Sequence, residues 1–254
     1  MKTLTVAGLS LLLLALFFQC CPSSTTEGPA APPPAEEIPT APAEPPTATP
    51  PPMPTHTPLP IPTSTPEPPP PEPQRLTGHG QQASPLFPLL PGLAVFRMTH
   101  DGAHNFAITL LDNQGEWVEL LVNMIGPFNG AKAVGVEQEG NYIMDISADG
   151  SWTVLVEQPR PPSDTPSPPQ TFAGSGQQVS PFIMLSEGLA RFQMTHDGAH
   201  NFAIVLLDSR GNWVDLLVNE IGPFDGSKAV GIRQSGAYLL DIAADGNWTL
   251  TIEQ

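Results

Sequence analysis

Only two cysteines occur in the 254 residues, Cys20 and Cys21, and both precede everything that reads as folded. Disulfide stapling and thiol chemistry are therefore excluded from the body of the protein, and each domain must hold together by its apolar core. Basic residues are scarce as well. Nine Lys and Arg stand against 25 Asp and Glu, a formal net charge of −16, and the few cations form no stripe. Nucleic acid and other polyanions make poor partners for such a chain, because phosphate binding needs clustered Lys and Arg. The acidity is spread along the chain and serves solubility. No stretch holds a helical period for three turns. The sequence also lacks GxSxG, HExxH, GxGxxG and a phosphate-binding loop, and it shows no Ser-His-Asp or Cys-His constellation. An enzyme is not expected.

What is present begins with MKTLTVAGLSLLLLALFFQCC. Lys2 precedes an uncharged apolar run from Leu4 to Phe18, the n-region and h-region of an export signal. The run is short for a membrane-spanning helix, which needs roughly 20 apolar residues. It ends at Cys20-Cys21, followed by Pro22 and a polar tract. This resembles a bacterial lipoprotein signal. The resemblance implies a signal over residues 1–21, lipidation at Cys20 or Cys21, and a protein tethered to the outer face of the cell membrane. Plain secretion and an uncleaved signal anchor are the alternatives. Residues 22–75 read as a disordered linker: 22 prolines fall in positions 22–74, with no aromatic residue and no Lys or Arg among them. Such a segment cannot bury enough apolar surface to offset its ordering entropy. It should be extended, at about 3.1 Å per residue.

Two stretches further on are nearly the same. Residues 76–158 align with 172–254 at an offset of 96, with 53 of 83 positions identical, so the chain contains one module twice rather than one larger domain. A second Pro-rich stretch, residues 159–171, separates the copies and suggests independent beads. Within a module, short β-rich runs alternate with turn dipeptides every 8–12 residues or so. In the first copy, strands are expected near Gln82–Pro88, Leu93–His100, His104–Leu111, Trp117–Asn123, Lys132–Glu137, Tyr142–Ser147 and Ser151–Glu157. The fold class is all-β: two tandem antiparallel β-sandwich, jelly-roll-like domains.

The longest identical stretch is MTHDGAHNFAI, at Met98–Ile108 and again at Met194–Ile204. Val95 and Arg97 become Arg191 and Gln193, whereas Ala94, Phe96 and Met98 stay apolar, so the latter three face inward. Phe106, Ile108 and Leu110 form the apolar face of the next strand. A hairpin with the three-residue loop Asp101-Gly102-Ala103 would match these faces. It would also place His100 directly opposite His104, and His196 opposite His200. Two imidazoles so placed, about 4.5–5.5 Å apart at Cβ, offer ligands for zinc or copper. The ordinary explanation is a polar rim on the core, and a sugar-binding polar pair is a third.

Trp152 and Trp248 share parity with core residues. Trp117 and Trp213 instead fall on the parity of Glu119 and Asp215, opposite Val118, Leu120 and Val122. An outward indole beside a carboxylate is the minimum of a sugar-stacking platform, and a Trp covered by a neighbouring loop is the alternative. Asp145, Asp149, Asp241 and Asp245 read as turn caps rather than calcium ligands, since no DxDxDG spacing appears.

The layout GLARFQMTHDGAHNFAIVLLD…GAYLLDIAADGNWTLTIEQ is loosely similar to the bacterial pre-peptidase C-terminal type of module, whose strand–turn–strand pattern ends in an Asp-Gly-x-Trp hairpin like Asp245–Trp248. That similarity implies an accessory or binding module and assigns no functional residue. The expectation is a non-enzymatic, cell-surface binding protein for a polysaccharide or a protein. A metal-binding envelope protein using the histidine pairs and a purely structural envelope module are the alternatives.

Overall fold

The computed structural model describes residues 69–254. Residues 1–21, with the lipidation candidates Cys20 and Cys21, and most of the Pro-rich linker lie outside the described residues.

Among the described residues every regular element is a strand. The first module contains β1 (Gln74–His79), β2 (Gln82–Ala83), β3 (Phe87–Leu89), β4 (Gly92–His100), β5 (Asn105–Asp112), β6 (Trp117–Ile125), β7 (Phe128–Val136), β8 (Gly140–Ser147) and β9 (Ser151–Glu157). The second repeats them as β10 (Gln170–Ser175), β11 (Gln178–Val179), β12 (Ile183–Leu185), β13 (Gly188–His196), β14 (Asn201–Asp208), β15 (Trp213–Ile221), β16 (Phe224–Ile232), β17 (Gly236–Ala244) and β18 (Asn247–Glu253). In each module one sheet has the order β1-β9-β4-β7 (β10-β18-β13-β16). The other has the order β2-β8-β5-β6 (β11-β17-β14-β15), with β3 or β12 also on its long central strand. The two sheets of a module close on one core, so the chain is two tandem β-sandwiches.

Alternation decides what is inside. Ala94, Phe96 and Met98 of β4 meet Phe106, Ile108 and Leu110 of β5 in the first core, together with Met144, Ile146, Trp152 and Val154. The repeat comparison places Ala94, Phe96 and Met98 inward, and strand parity places Phe106, Ile108, Leu110, Trp152 and Val154 there; Met144 and Ile146 join them only in the fold. β1 and β10 are strands that the sequence did not announce. They follow prolines and carry a mid-strand glycine, and they owe their extended form to pairing along β9 and β18.

Two expectations are corrected. β4 and β5 are not a hairpin: they belong to different sheets, and His100 pairs with Phe128 on β7 and Trp152 on β9. An arch between facing sheets points both apolar faces at one core, just as a hairpin points both at one side. Parity alone does not separate the two. Leu120, expected inside, is 42% exposed, and Leu121 takes its place in the core. Register shifts between Ile108 and Thr109 and between Leu110 and Leu111 bulge β6 and change its parity part-way.

The modules are not separate beads. Leu93 and Val95 of β4 and Ala131 and Ala133 of β7 pack on Leu207 of β14 and Leu239 of β17, with Val179, Phe182 and Val205 at the margin. Backbone joins the contact: Ala131 N–H donates to Gln177 O at 3.1 Å, and the Gln177 amide donates to Leu121 O at 2.9 Å. Gly135 and Gly211 touch across it, such that a Cβ on Gly135 would lie 2.6 Å from Gly211 O. Asp241, expected to cap a turn, is buried here. It accepts from Lys132 Nζ at 2.6 Å and from Ala133 N–H at 3.0 Å. Burial pushes the Lys132 ammonium toward neutrality, but the Asp241 carboxylate outweighs it and holds the ammonium above its usual range. The Pro-rich stretch between the modules is engaged as well, since Pro166 O accepts from Met184 N–H at 2.8 Å.

Candidate binding site

The repeated histidines converge on one aspartate. Asp149, in the β8–β9 turn, accepts from the N–H groups of Ala103 and His104, both at 3.1 Å, and from His104 Nδ1 at 2.9 Å. Asp101, in the β4–β5 arch, accepts in return from Ser151 N–H at 2.6 Å. Each loop thus caps the other. The glycines belong to the device: a side chain on Gly102 would strike Asp149 and His100, and one on Gly150 would strike Asp101 and Gly102. Module 2 repeats the clasp with Asp197, Gly198, Asp245 and Gly246.

His100 is buried beneath the clasp. Its Nδ1 donates to Gly126 O at 3.0 Å, and its ring stacks on Phe106 at 4.4 Å. Its Nε2 lies 3.3 Å from Asp149 Oδ1 without hydrogen-bond geometry. His104 stands in solvent on the other side of Asp149. His196 and His200 take the same two places around Asp245. The cross-strand histidine pairs are therefore corrected: within each pair one ring is core and the other is surface. Among the described residues no group of three or more His, Cys, Asp or Glu is placed to hold a metal ion. The hydrogen bond from His104 holds the Asp149 carboxyl below its usual range. At Asp245 burial pushes upward, but the His200 ring and the N–H groups of His200 and Ala199 prevail and lower it.

Trp117 and Trp213 face outward, as their parity indicated. They are 64% and 65% exposed at the first positions of the edge strands β6 and β15. Neither is covered by a loop. Their expected carboxylate partners are elsewhere. The β6 bulge sets Trp117 against Leu111 but Glu119 against the inward Leu110. Glu119 faces Lys132, and Asp215 is bound by Lys228 Nζ at 2.8 Å. Instead, Trp117 borders a cleft of about 470 Å³ with Asp112, Gln114, Glu137, Gln138 and Tyr142. The β7–β8 turn that supplies Glu137 and Gln138 carried no motif. Only the fold brings it beside Trp117. Tyr142 donates its hydroxyl to Gln138 O at 2.7 Å and fixes that turn, while burial and the Asp112 carboxylate raise the phenol above its ordinary range. A flat indole beside amide and carboxylate acceptors can stack on the apolar face of a sugar ring and accept from its hydroxyls.

No protein-family model matches the chain, and no curated protein matches it. Solved structures with some likeness include the catalytic domain with two CBM domains of Clostridium perfringens ZmpB, at 7% identity and a TM-score of 0.27. That match covers 71% of this chain and 34% of the other, about a third of its length. The tandem CBM domain of Paenibacillus barcinonensis Xyn10C matches at 6% identity and a TM-score of 0.22, over 65% of this chain and 79% of that one. A fucolectin from the serum of striped bass, Morone saxatilis, matches at 10% identity and a TM-score of 0.20, over 70% and 84%.

Proposed function

We propose that this chain is an exported, non-enzymatic binding protein, tethered to the outer face of a membrane through Cys20 or Cys21, that holds polysaccharide on the indoles of Trp117 and Trp213. One observation carries the reading. Both modules expose a Trp at the same edge position, and in module 1 it stands at the mouth of a polar cleft. Neither indole is covered by its own module, and a flat apolar ring left in water at two equivalent places supports a role in contact. Nucleic acid is not among the ligands, given the acidity of the chain.

The test is glycan-array binding followed by titration calorimetry on the best neutral polysaccharide. Trp117→Ala should weaken binding about two- to tenfold, the loss of one stacked aromatic at roughly 0.5–1.5 kcal/mol. Trp213→Ala should remove the avidity of a two-site protein. A folded sample that binds no glycan sinks the reading. What then remains is a purely structural module or a protein partner, for which the exposed Ile125 and Ile221 at the far ends of the same strands, 78% and 77% exposed, offer apolar contact.

A further inference from the structure

The contact between the modules joins two different faces. Module 1 offers the outer face of β4 and β7; module 2 offers the outer face of β14 and β17. Two copies of one fold docked this way form a heterologous, head-to-tail pair, and each end keeps the half that the other used. The outer face of β13 and β16 in module 2 is an unused head. The outer face of β5 and β8 in module 1 is an unused tail. We propose that these two faces bind each other between chains, so that the protein self-associates head to tail through a polar version of its own internal interface.

The residues that make the internal contact recur on the free faces. On the head, Leu189 stands where Leu93 does, 70% exposed, and Ala229, Lys228 and Gly231 match Ala133, Lys132 and Gly135. On the tail, Leu111, Ile143, Asp145 and Gly115 match Leu207, Leu239, Asp241 and Gly211. The steric provision is intact, since nothing lies within 4 Å of a Cβ built on Gly231 or Gly115. An added chain therefore finds the same close approach of backbones.

The departures are polar on both sides. Val95 becomes Arg191 and Ala131 becomes Ser227 on the head, while Val205 is replaced by Thr109 on the tail. The head thus carries Arg191 and Lys228, and the tail carries Asp145. The charges are complementary, and the lost apolar contacts make the bond between chains weaker than the bond within one. Arg191 is held by Glu253 at 2.9 Å and Lys228 by Asp215 at 2.8 Å. Association must share or exchange these partners, which also favours a weak, salt-sensitive contact. Trp213 stays 65% exposed although its module is docked. By equivalence, a second copy on the tail leaves Trp117 open.

Sedimentation velocity of the full chain tests this, with every variant carrying the same N-terminal segment. The parent should grow beyond monomer as its concentration rises toward about 1 mM, the range of weak contacts, and less so at high salt. Leu189→Asp breaks the head and Asp145→Arg breaks the tail. Both residues are exposed, so each variant should keep the parent's unfolding midpoint, and each should sediment as a monomer. An equimolar mixture of the two should form dimers and nothing larger, because each retains one intact face. Arg191→Val with Ser227→Ala should strengthen association at least tenfold. A parent that stays monomeric throughout, single variants that associate as the parent does, or a mixture that stays monomeric each overturns the proposal.

Discussion

Asp145 and Asp241 hold the same position in two copies of one module, and their surroundings have little in common. Asp145 lies exposed on β8. Asp241 is buried on β17, where it bonds a lysine and a backbone N–H from the other module. Lys132 and Lys228 diverge in the same way: Lys132 reaches across the interface, and Lys228 stays within its module on Asp215. Strand burial follows. β8 alternates between inside and outside, whereas β17 is buried continuously from Ala237 to Ile242. Duplication thus supplied identical parts, and docking gave them unequal duties. A position in a repeat protein has to be judged by its neighbours as well as by its place in the repeat.

The largest test of this comparison strikes what the modules share. Phe106→Ala and Phe202→Ala each remove a fully buried ring and should cost about 3–5 kcal/mol in urea unfolding. Because the modules are docked, both are expected to unfold in one transition, and either truncation should lower the whole of it. Two separated transitions, with only one moved, would show modules that stand alone. The next test strikes where they differ. Asp241→Ala leaves Lys132 half-buried without its carboxylate and should cost about 2–4 kcal/mol, whereas Asp145→Ala on the open face should stay within about 0.5. Equal effects would erase the asymmetry.

The smallest effect concerns pH and returns to what is shared. Asp149 and Asp245 are both held below the ordinary carboxylate range. A carboxyl depressed in the folded state contributes stability above its unfolded pKa and loses that contribution as pH falls through its folded pKa. Stability should therefore decline below about pH 4, and Asp149→Asn should flatten that decline. The same decline in the Asn variant would assign acid sensitivity to other groups.

Much of the architecture was legible because alternation and turns are local. The exchange of Val95 and Arg97 for Arg191 and Gln193, beside a constant Ala94, Phe96 and Met98, marks the apolar side of β4, the run Phe106, Ile108 and Leu110 marks that of β5, and both sides are the core. The partner strand was not legible, since an arch and a hairpin satisfy the same parity. Parity therefore sets His100 opposite His104, whereas the fold brings both to Asp149, 45 residues beyond His104. Trp117 was correctly turned outward, but the β6 bulge, which no residue announces, carried Glu119 off its face. The interface left a trace that parity absorbed. By parity alone, Val95 against Arg191 marks only an outward position, which is true of its own sandwich. An outward Val that its copy replaces with Arg also signals a surface buried in one setting and wet in the other.

The Gly135–Gly211 contact has a consequence for distance. A flexible spacer alone would leave the separation of the two Trp faces to chain statistics, and lengthening it would dilute one site relative to the other. Here backbone meets backbone, and the spacer does not set that gauge. Under the proposed function, ligands would be sorted by repeat length: a polymer whose period fits the span would engage both indoles, and one of another period would engage one.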